Sequence, residues 1–455
     1  MSMKRYGLGL GVLLVLFLLL GGIFGSAQDY GVPLVKDSQN ILPERERAQV
    51  KNEWLKWRLE HIIPRLMRRE GIDMWLVINR EYNEDPVYMS LVPEPTMNAR
   101  RTSILIFHDR GPEKGVERLS GSYYGMEGWY KSTWKDKSKK QFESLADVIE
   151  ERDPQKIGIN VSSTWSFGDG LTASLKKKLE KALSPRYTRR LVSAENLCVG
   201  WLETRSPQEL SVYRHICGIA HDLIAEFYSN RVITPGITTT DDVVWWIRQK
   251  ITDLGLETWF QPSISIQRNH KEGAESEEEK KVIRRGDLLH CDVGVVYLGL
   301  CTDMQWQAYV CRKGEEEAPE GIQKALRRAN RVAEIFMNEF KAGRTGQEIT
   351  DSAMEKATQE GLRPLIYSHP LGLNGHAAGP PMDARPRERA PEGIGEEMKY
   401  PLYPNTCYAI EFSSTTQVPE WGNQDVRIGF EEDGVFTEEG CRFIDGHQTR
   451  LLLIR

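Results

Sequence analysis

The sequence predicts an α+β protein in two parts: a smaller α/β layer structure over residues 46–200, then helices beside an antiparallel sheet over residues 205–455. Three observations predict it. Short apolar runs alternate with amphipathic stretches in the first part. In the second part, helix-start signatures precede two long strand-like segments around Leu298-Gly299. Finally, 60 Lys and Arg stand against 65 Asp and Glu, with 40% hydrophobic residues, which is the balance of a folded globular chain. A net charge of −5 exerts no long-range pull on a polyanion, so nucleic acid is excluded as a partner class.

The first residues read as a secretory signal at 1–27. Lys4 and Arg5 precede an unbroken apolar run at 11–20, and no acid occurs before Asp29. Gly21-Gly22 breaks the helix and Gly25-Ser26-Ala27 offers small residues for cleavage. The expectation is a secreted or periplasmic protein with no stable membrane insertion after cleavage. The alternative is an uncleaved anchor over 7–24, at the short end for a bilayer span.

Residues 28–45 are polar and punctuated by Pro33 and Pro43, an extended lead-in. Val50, Trp54, Trp57, Leu59 and Ile63 recur at helical spacing over 46–69. The runs 74–78 (MWLVI), 102–108 (TSILIFH) and 156–160 (KIGIN) read as strands, and 141–151 and 169–183 as helices. Residues 190–205 read as a connection. Ser206-Pro207-Gln208-Glu209 is a helix start, with Ser at the N-cap, Pro at the first helical position and Glu at the third, and the helix runs to about Tyr228. A second helix starts near Thr240, and 263–267 is strand-like. The acidic tract 272–279 reads as a solvated loop or strand tip. Strands at 287–297 and 300–311 follow, then helices at 320–340 and 345–359, then short strands and turns.

All seven cysteines lie beyond position 190, several in apolar strand-like runs where Cys serves as a small hydrophobe. There is no C-x-x-C, so neither a disulfide scaffold nor thiolate-held zinc is indicated, although one isolated bridge remains open.

Chemistry concentrates in four places. With Leu298-Gly299 as a two-residue hairpin loop, Tyr297 faces Leu300 and Gly294 faces Asp303. Asp292 and Asp303 then lie diagonally on one face, where two buried carboxylates would repel unless a divalent cation sat between them. The alternative is one exposed and one capping Asp. His369 and His376 share the Gly-rich stretch SHPLGLNGH. Glu411 lies inside the apolar strand CYAIEFSS, and Glu431 inside RIGFEEDGVF, followed by a turn. An acid in an apolar strand needs a partner. A set rich in hard oxygens with one nitrogen suits a pair of Mn²⁺, Co²⁺ or Zn²⁺ ions with a bridging hydroxide as nucleophile.

The order Asp-x10-Asp, then S-H-x-L-G-L-x-x-H, then Glu in a strand, then Glu-Glu-Asp resembles the pita-bread metallopeptidases: aminopeptidase P, prolidase, methionine aminopeptidase and their relative creatinase. The motifs fall within 205–455. Residues 46–200 are similar, more weakly, to the creatinase-type amino-terminal domain. The resemblance implies Asp292 as ligand of one metal, Asp303 and Glu431 as bridging carboxylates, and His369 and Glu411 as ligands of the second. It implies Glu411 as general base too, and His376 as a substrate-contacting group that stabilises the transition state. His270 is similar in place to a further substrate-binding histidine.

Three positions depart from aminopeptidase P. Leu365 stands where a further histidine often lies, Gly429 stands where an arginine often lies, and the surroundings of His376 run Gly375 before and Ala377-Ala378-Gly379-Pro380-Pro381 after. Arg427 shares the strand face of Gly429 and is the candidate substitute for substrate binding. The expected protein is an exported two-metal Xaa-Pro aminopeptidase acting on peptides with proline second, its amino-terminal domain restricting access, with a homodimer as the candidate assembly. The rivals are a Xaa-Pro dipeptidase, a creatinase-like amidinohydrolase and a non-catalytic peptide-binding protein.

Overall fold

The computed structural model describes residues 37–272, 276–386 and 388–455. The stretch expected to be a secretory signal lies outside the described residues, as does the middle of the acidic tract. The described residues pack as one compact unit. Among the described residues, no helix is long and apolar enough to cross a membrane.

Helix α1 (Glu44–Glu70) buries Trp54, Leu55, Leu59, Ile62, Ile63 and Leu66 at three- and four-residue intervals, as its periodicity dictates. It ends at Gly71, whose φ of 62° gives the left-handed cap that glycine adopts without strain. Strands β1 (Met74–Arg80), β2 (Thr102–Asp109), β3 (Val116–Ser120) and β4 (Lys131–Ser132) follow. Then come α2 (Gln141–Arg152), β5 (Ile157–Ile159), α3 (Ala173–Ala182), α4 (Pro185–Thr188), β6 (Leu191–Ser193) and α5 (Glu195–Glu203). The six strands form one sheet in the order β4-β3-β2-β1-β5-β6. β1 lies inside it, antiparallel to β2 and parallel to β5, and six of its seven residues are buried.

Two local expectations are corrected here. Residues 190–205 are not a bare connection, because they hold β6 and α5. Leu197 through Glu203 of α5 are all buried, so the segment lacks the polar stripe that marks an amphipathic helix. The lead-in is not extended over its described part: Asp37–Gln39 forms a turn of 3₁₀ helix, where Asp37 accepts from His215 Nδ1 at 2.9 Å.

Helix α6 (Pro207–Phe227) starts as its sequence signature requires. Ser206 Oγ accepts from the Glu209 backbone at 3.0 Å, and Glu209 accepts from the Ser206 backbone at 2.6 Å. Glu209 is buried and also receives Arg58 of α1 at 2.9 Å and Arg205 at 3.0 Å, tying the first helix to the second part of the chain. Next come α7 (Thr240–Asp253), β7 (Ser263–Gln267) and α8 (Glu277–Lys281), a short helix within the acidic tract expected to be a loop or strand tip.

The central hairpin follows as β8 (Leu288–Asp292), β9 (Val296–Tyr297), β10 (Leu300–Cys301) and β11 (Gln307–Val310). Its register is the one a two-residue loop imposes: Tyr297 pairs with Leu300, Val293 bridges Met304, and His290 pairs with Gln307. Leu298 (φ 55°) and Gly299 (φ 78°) both occupy the positive-φ region that such a tight turn demands.

Helices α9 (Glu320–Met337) and α10 (Gly346–Gln359) precede β12 (Pro364–Leu371), β13 (Met382–Asp383), α11 (Ile394–Glu397), β14 (Thr406–Val418), β15 (Gln424–Thr437), β16 (Gly440–Phe443) and β17 (Leu452–Ile454). β14 and β15 are 13 and 14 residues long, not short strands between turns. Nor does a turn follow Glu431, which sits in the middle of β15. The buried acids Glu431, Glu432 and Asp433 interrupt the apolar run that would have announced this strand. One sheet is β17-β11-β8-β7 and the other β13-β12-β14-β15-β16. They meet where the Gln305 backbone donates to Glu431 O at 3.1 Å. α9 lays Ile322, Leu326, Ala329, Ala333 and Phe336 into the core behind β14. All seven cysteines are free thiols.

Candidate metal centre

Each strand delivers one group to the junction of the two sheets. Asp292 ends β8, and Asp303 sits in the return arm of the hairpin. His369 projects from β12, Glu411 from β14 and Glu431 from β15. β12 pairs with β14 so that His369 opposes Ala409, and β14 pairs with β15 so that Glu411 opposes Glu431.

Asp303, His369 and Glu431 each offer one ligand atom, and these atoms lie within 4.8 Å of one another. His369 Nε2 is 3.5 Å from Asp303 Oδ2, 3.5 Å from Glu431 Oε1 and 3.8 Å from Glu411 Oε2. Asp292 is within hydrogen-bond reach of Asp303.

Four carboxyl groups this close cannot all stay ionised at ordinary cost. Burial raises Asp292 to about 6 and Glu411 to about 7, each against the opposing pull of His369. Burial and the neighbouring acids push Asp303 and Glu431 well above the carboxylate range. Burial pulls the His369 imidazole down, but the close carboxylates of Glu431 and Glu411 outweigh that and raise it to about 9. Asp292 Oδ1, Asp303 Oδ1 and Glu431 Oε1 are buried with no hydrogen-bond partner. A divalent cation satisfies such orphaned oxygens and cancels their repulsion, so this donor set fits one.

A cavity of about 540 Å³ opens onto the centre, and His369, Glu411 and His376 line it. His376 packs edge-on against His369 at 4.5 Å between ring centroids and against Trp259 at 5.3 Å. Burial, His369 and Arg385 lower His376 to about 4, so its ring is neutral at neutral pH. Trp259 is the wedge that sets this ring: a Cβ added at Gly375 would lie 2.2 Å from its indole. Trp165 and Phe167, from the first part of the chain, also face the cavity.

The remaining candidates separate. Arg427 is exposed at the rim, where its guanidinium donates to Tyr367 Oη at 2.5 Å, and Tyr367 lines the cavity. His270 does not line it. β7 runs beside β8 with Ser263 opposite Asp292 and Gln267 opposite Leu288, so His270 lies past the end of the ladder remote from Asp292. Its backbone donates to Gln424 at 2.9 Å and its side chain is exposed.

Sequence reasoning missed Gln305. Its Nε2 donates to Glu411 Oε1 and Glu431 Oε2, both at 2.7 Å, while its Oε1 accepts from His290 Nε2 at 2.8 Å. Burial holds His290 below the usual imidazole range. The signal available was position alone: Gln305 follows Asp303 by two residues and so shares its face. Arg385, also missed, points into the cavity while paired with Asp383.

Fold and site together define a candidate metal centre of hydrolase type, built where two sheets join that are antiparallel but for the β11–β17 pair. The chain belongs to metallopeptidase family M24, whose model matches residues 211–442. A "Putative Xaa-Pro aminopeptidase" of Mycoplasma pneumoniae is 24% identical over 182 residues, covering 40% of this chain and 48% of that protein. The chain thus spans about half the length of that curated relative. Among solved structures, an X-Pro aminopeptidase of Thermotoga maritima superposes with a TM-score of 0.58 at 18% identity, over 86% of this chain and 99% of that one. A Xaa-Pro dipeptidase of Bacillus anthracis gives 0.55 at 18% identity, over 89% and 99%. At these identities the likeness concerns the fold. It bears out the pita-bread architecture over most of the chain.

Proposed function

We propose that the protein is a metal-dependent peptidase that hydrolyses the Xaa-Pro bond at a peptide N-terminus. The observation that carries this reading is the approach of Asp303 Oδ2 and Glu431 Oε1 to 3.5 Å of His369 Nε2 in a chain of family M24. Asp292, Asp303, His369, Glu411 and Glu431 would hold two divalent ions, Mn²⁺ foremost, with Co²⁺ or Zn²⁺ as alternatives. Bound, the ions supply Lewis-acid polarisation of the scissile carbonyl and a nucleophile at neutral pH.

The chain's own groups do the rest. Glu411, beside the cation site on β14, is placed to take a proton and return it to the leaving amine. Neutral His376 donates a hydrogen bond to oxyanion charge as it develops. Arg427, through Tyr367, marks the rim where substrate enters; His270 has no contact with the cavity to support a role. Export belongs to the same reading, on the strength of Lys4, Arg5 and the apolar run at 11–20. One observation favours a dipeptidase instead: the Arg385 guanidinium shares the cavity with His369 and Glu411, where it would meet the carboxylate of a two-residue substrate.

Metal analysis of the isolated protein, with a panel of Xaa-Pro peptides of increasing length, tests this. Release of the first residue from peptides of three or more residues supports the aminopeptidase. Cleavage confined to dipeptides supports the other reading, and a folded protein that binds no divalent ion overturns both.

A further inference from the structure

The Gln305 carboxamide occupies a place that neither the apolar hairpin nor the acidic cluster explains. It is 5% exposed and stands between two carboxylates that oppose each other across a β-ladder. An amide nitrogen has two hydrogens, and here each goes to a different acid, Glu411 Oε1 and Glu431 Oε2, at 2.7 Å. The oxygens it takes are not the ones that face the imidazole. Glu411 Oε2 and Glu431 Oε1 are left turned toward His369 Nε2, at 3.8 and 3.5 Å.

The orientation of this amide is over-determined. With a cation held, both acids are ionised and only accept, so the nitrogen faces them and the oxygen faces a donor. That donor is His290 Nε2 at 2.8 Å, which obliges His290 to carry its proton there and to accept at Nδ1 from Ser265 Oγ, 3.2 Å away. Gly429 supplies the room. A Cβ at that position would lie 2.6 Å from His290 Nε2 and 2.7 Å from Gln305 Oε1, closer than real Cβ contacts come. Gly429 is also the position where the sequence departs from the arginine expected by resemblance. The space of that absent side chain is filled by the His290–Gln305 pair.

We propose that Gln305, aimed by His290 through the gap at Gly429, is a positioning residue that fixes the rotation of Glu411 and Glu431 and so presents one oxygen of each to the cation. The proposal rests on the metal-binding reading of the centre. Outer partners of metal ligands typically contribute 10–100-fold to affinity, and a group that holds two ligands at once belongs at the upper end.

The test compares wild type with Gln305→Met, which keeps length and loses both donors, and with His290→Asn, which leaves Gln305 in place without its aiming donor. Mn²⁺ dissociation constants are measured by chelator competition, and the visible spectrum of the Co²⁺-loaded protein reports ligand geometry. The expectation is a 10–100-fold weaker Mn²⁺ constant and a shifted Co²⁺ spectrum for Gln305→Met. His290→Asn should change both in the same direction by less, and the double variant should lose no more than Gln305→Met alone. If both single variants bind Mn²⁺ as wild type does, with an unchanged Co²⁺ spectrum, the positioning role is overturned even where melting temperature falls. If Gln305→Met does not fold, His290→Asn decides by the same two readouts. Failure of wild type itself to bind Mn²⁺ or Co²⁺ would instead strike the metal reading.

Discussion

Glu411 and Glu431 are direct partners across the β14–β15 ladder, facing each other at the junction of the two sheets. Like charges in directly opposed strand positions destabilise a sheet, and here Asp292 and Asp303 crowd the same space. The chain tolerates this because protons are retained on the acids, Gln305 separates two of them, and the family's divalent cations can neutralise the rest.

Cation binding should therefore stabilise the fold. A ligand bound only by the native state at a hundred times its dissociation constant adds about 2.7 kcal/mol. Stripping the protein with a chelator should lower its melting temperature, and Mn²⁺ should restore it in a concentration-dependent way. Scanning fluorimetry that shows one melting temperature in all three states would contradict the assignment.

Removing one acid should reverse that balance. Glu431→Gln mimics the protonated acid that the cation-free centre favours, so the chelator-treated variant should melt no lower than chelator-treated wild type. The same variant should gain little from Mn²⁺ and lose hydrolysis by at least ~10²-fold. A large loss of stability in the stripped variant would show that Glu431 serves the fold more than the cation.

Glu203 gives a pH dependence through an acid outside the candidate ligand set. Burial raises it to about 8 against Arg69, Tyr400 and Arg205, and its Oε2 has no partner. An acid raised on folding binds more protons folded than unfolded between about 4.5 and 8. Stability is thus lost as pH rises through that window, by up to about 1.4 kcal/mol per unit. Glu203→Gln, which mimics the protonated acid, should flatten this slope. The melting gap between variant and wild type should widen from pH 5 to 8; parallel curves would count against the account.

Arg58 is the buried link between α1 and α6. Its guanidinium pairs with Glu209 at 2.9 Å and donates to the carbonyls of Thr204 and Trp201. Arg58→Met leaves Glu209 with Arg205 alone, and breaking a buried pair from one side costs about 3–5 kcal/mol. Chemical denaturation should show a shift of that size; a change under about 1 kcal/mol would mean that Arg205 suffices.

The sequence by itself determined the helix starts, the hairpin register and the identity of five chemistry-bearing side chains. These are local matters: Ser206 and Glu209 cap one turn, and Leu298-Gly299 sets which face Asp292 and Asp303 share. Buried α5 escaped, as did the full length of β15 beyond the strand read around Glu431, because total burial erases the polar–apolar contrast on which such reading depends. Only the tertiary structure decided what lies between these side chains. Gln305, His290 and Gly429 come from three segments, and nothing in the local pattern of any one of them marks it. Likewise His270 follows Asp292's neighbouring strand in sequence yet falls off its far end in space. The antiparallel register, fixed by pairing along the whole strand, separates positions that mere order along the chain would bring together.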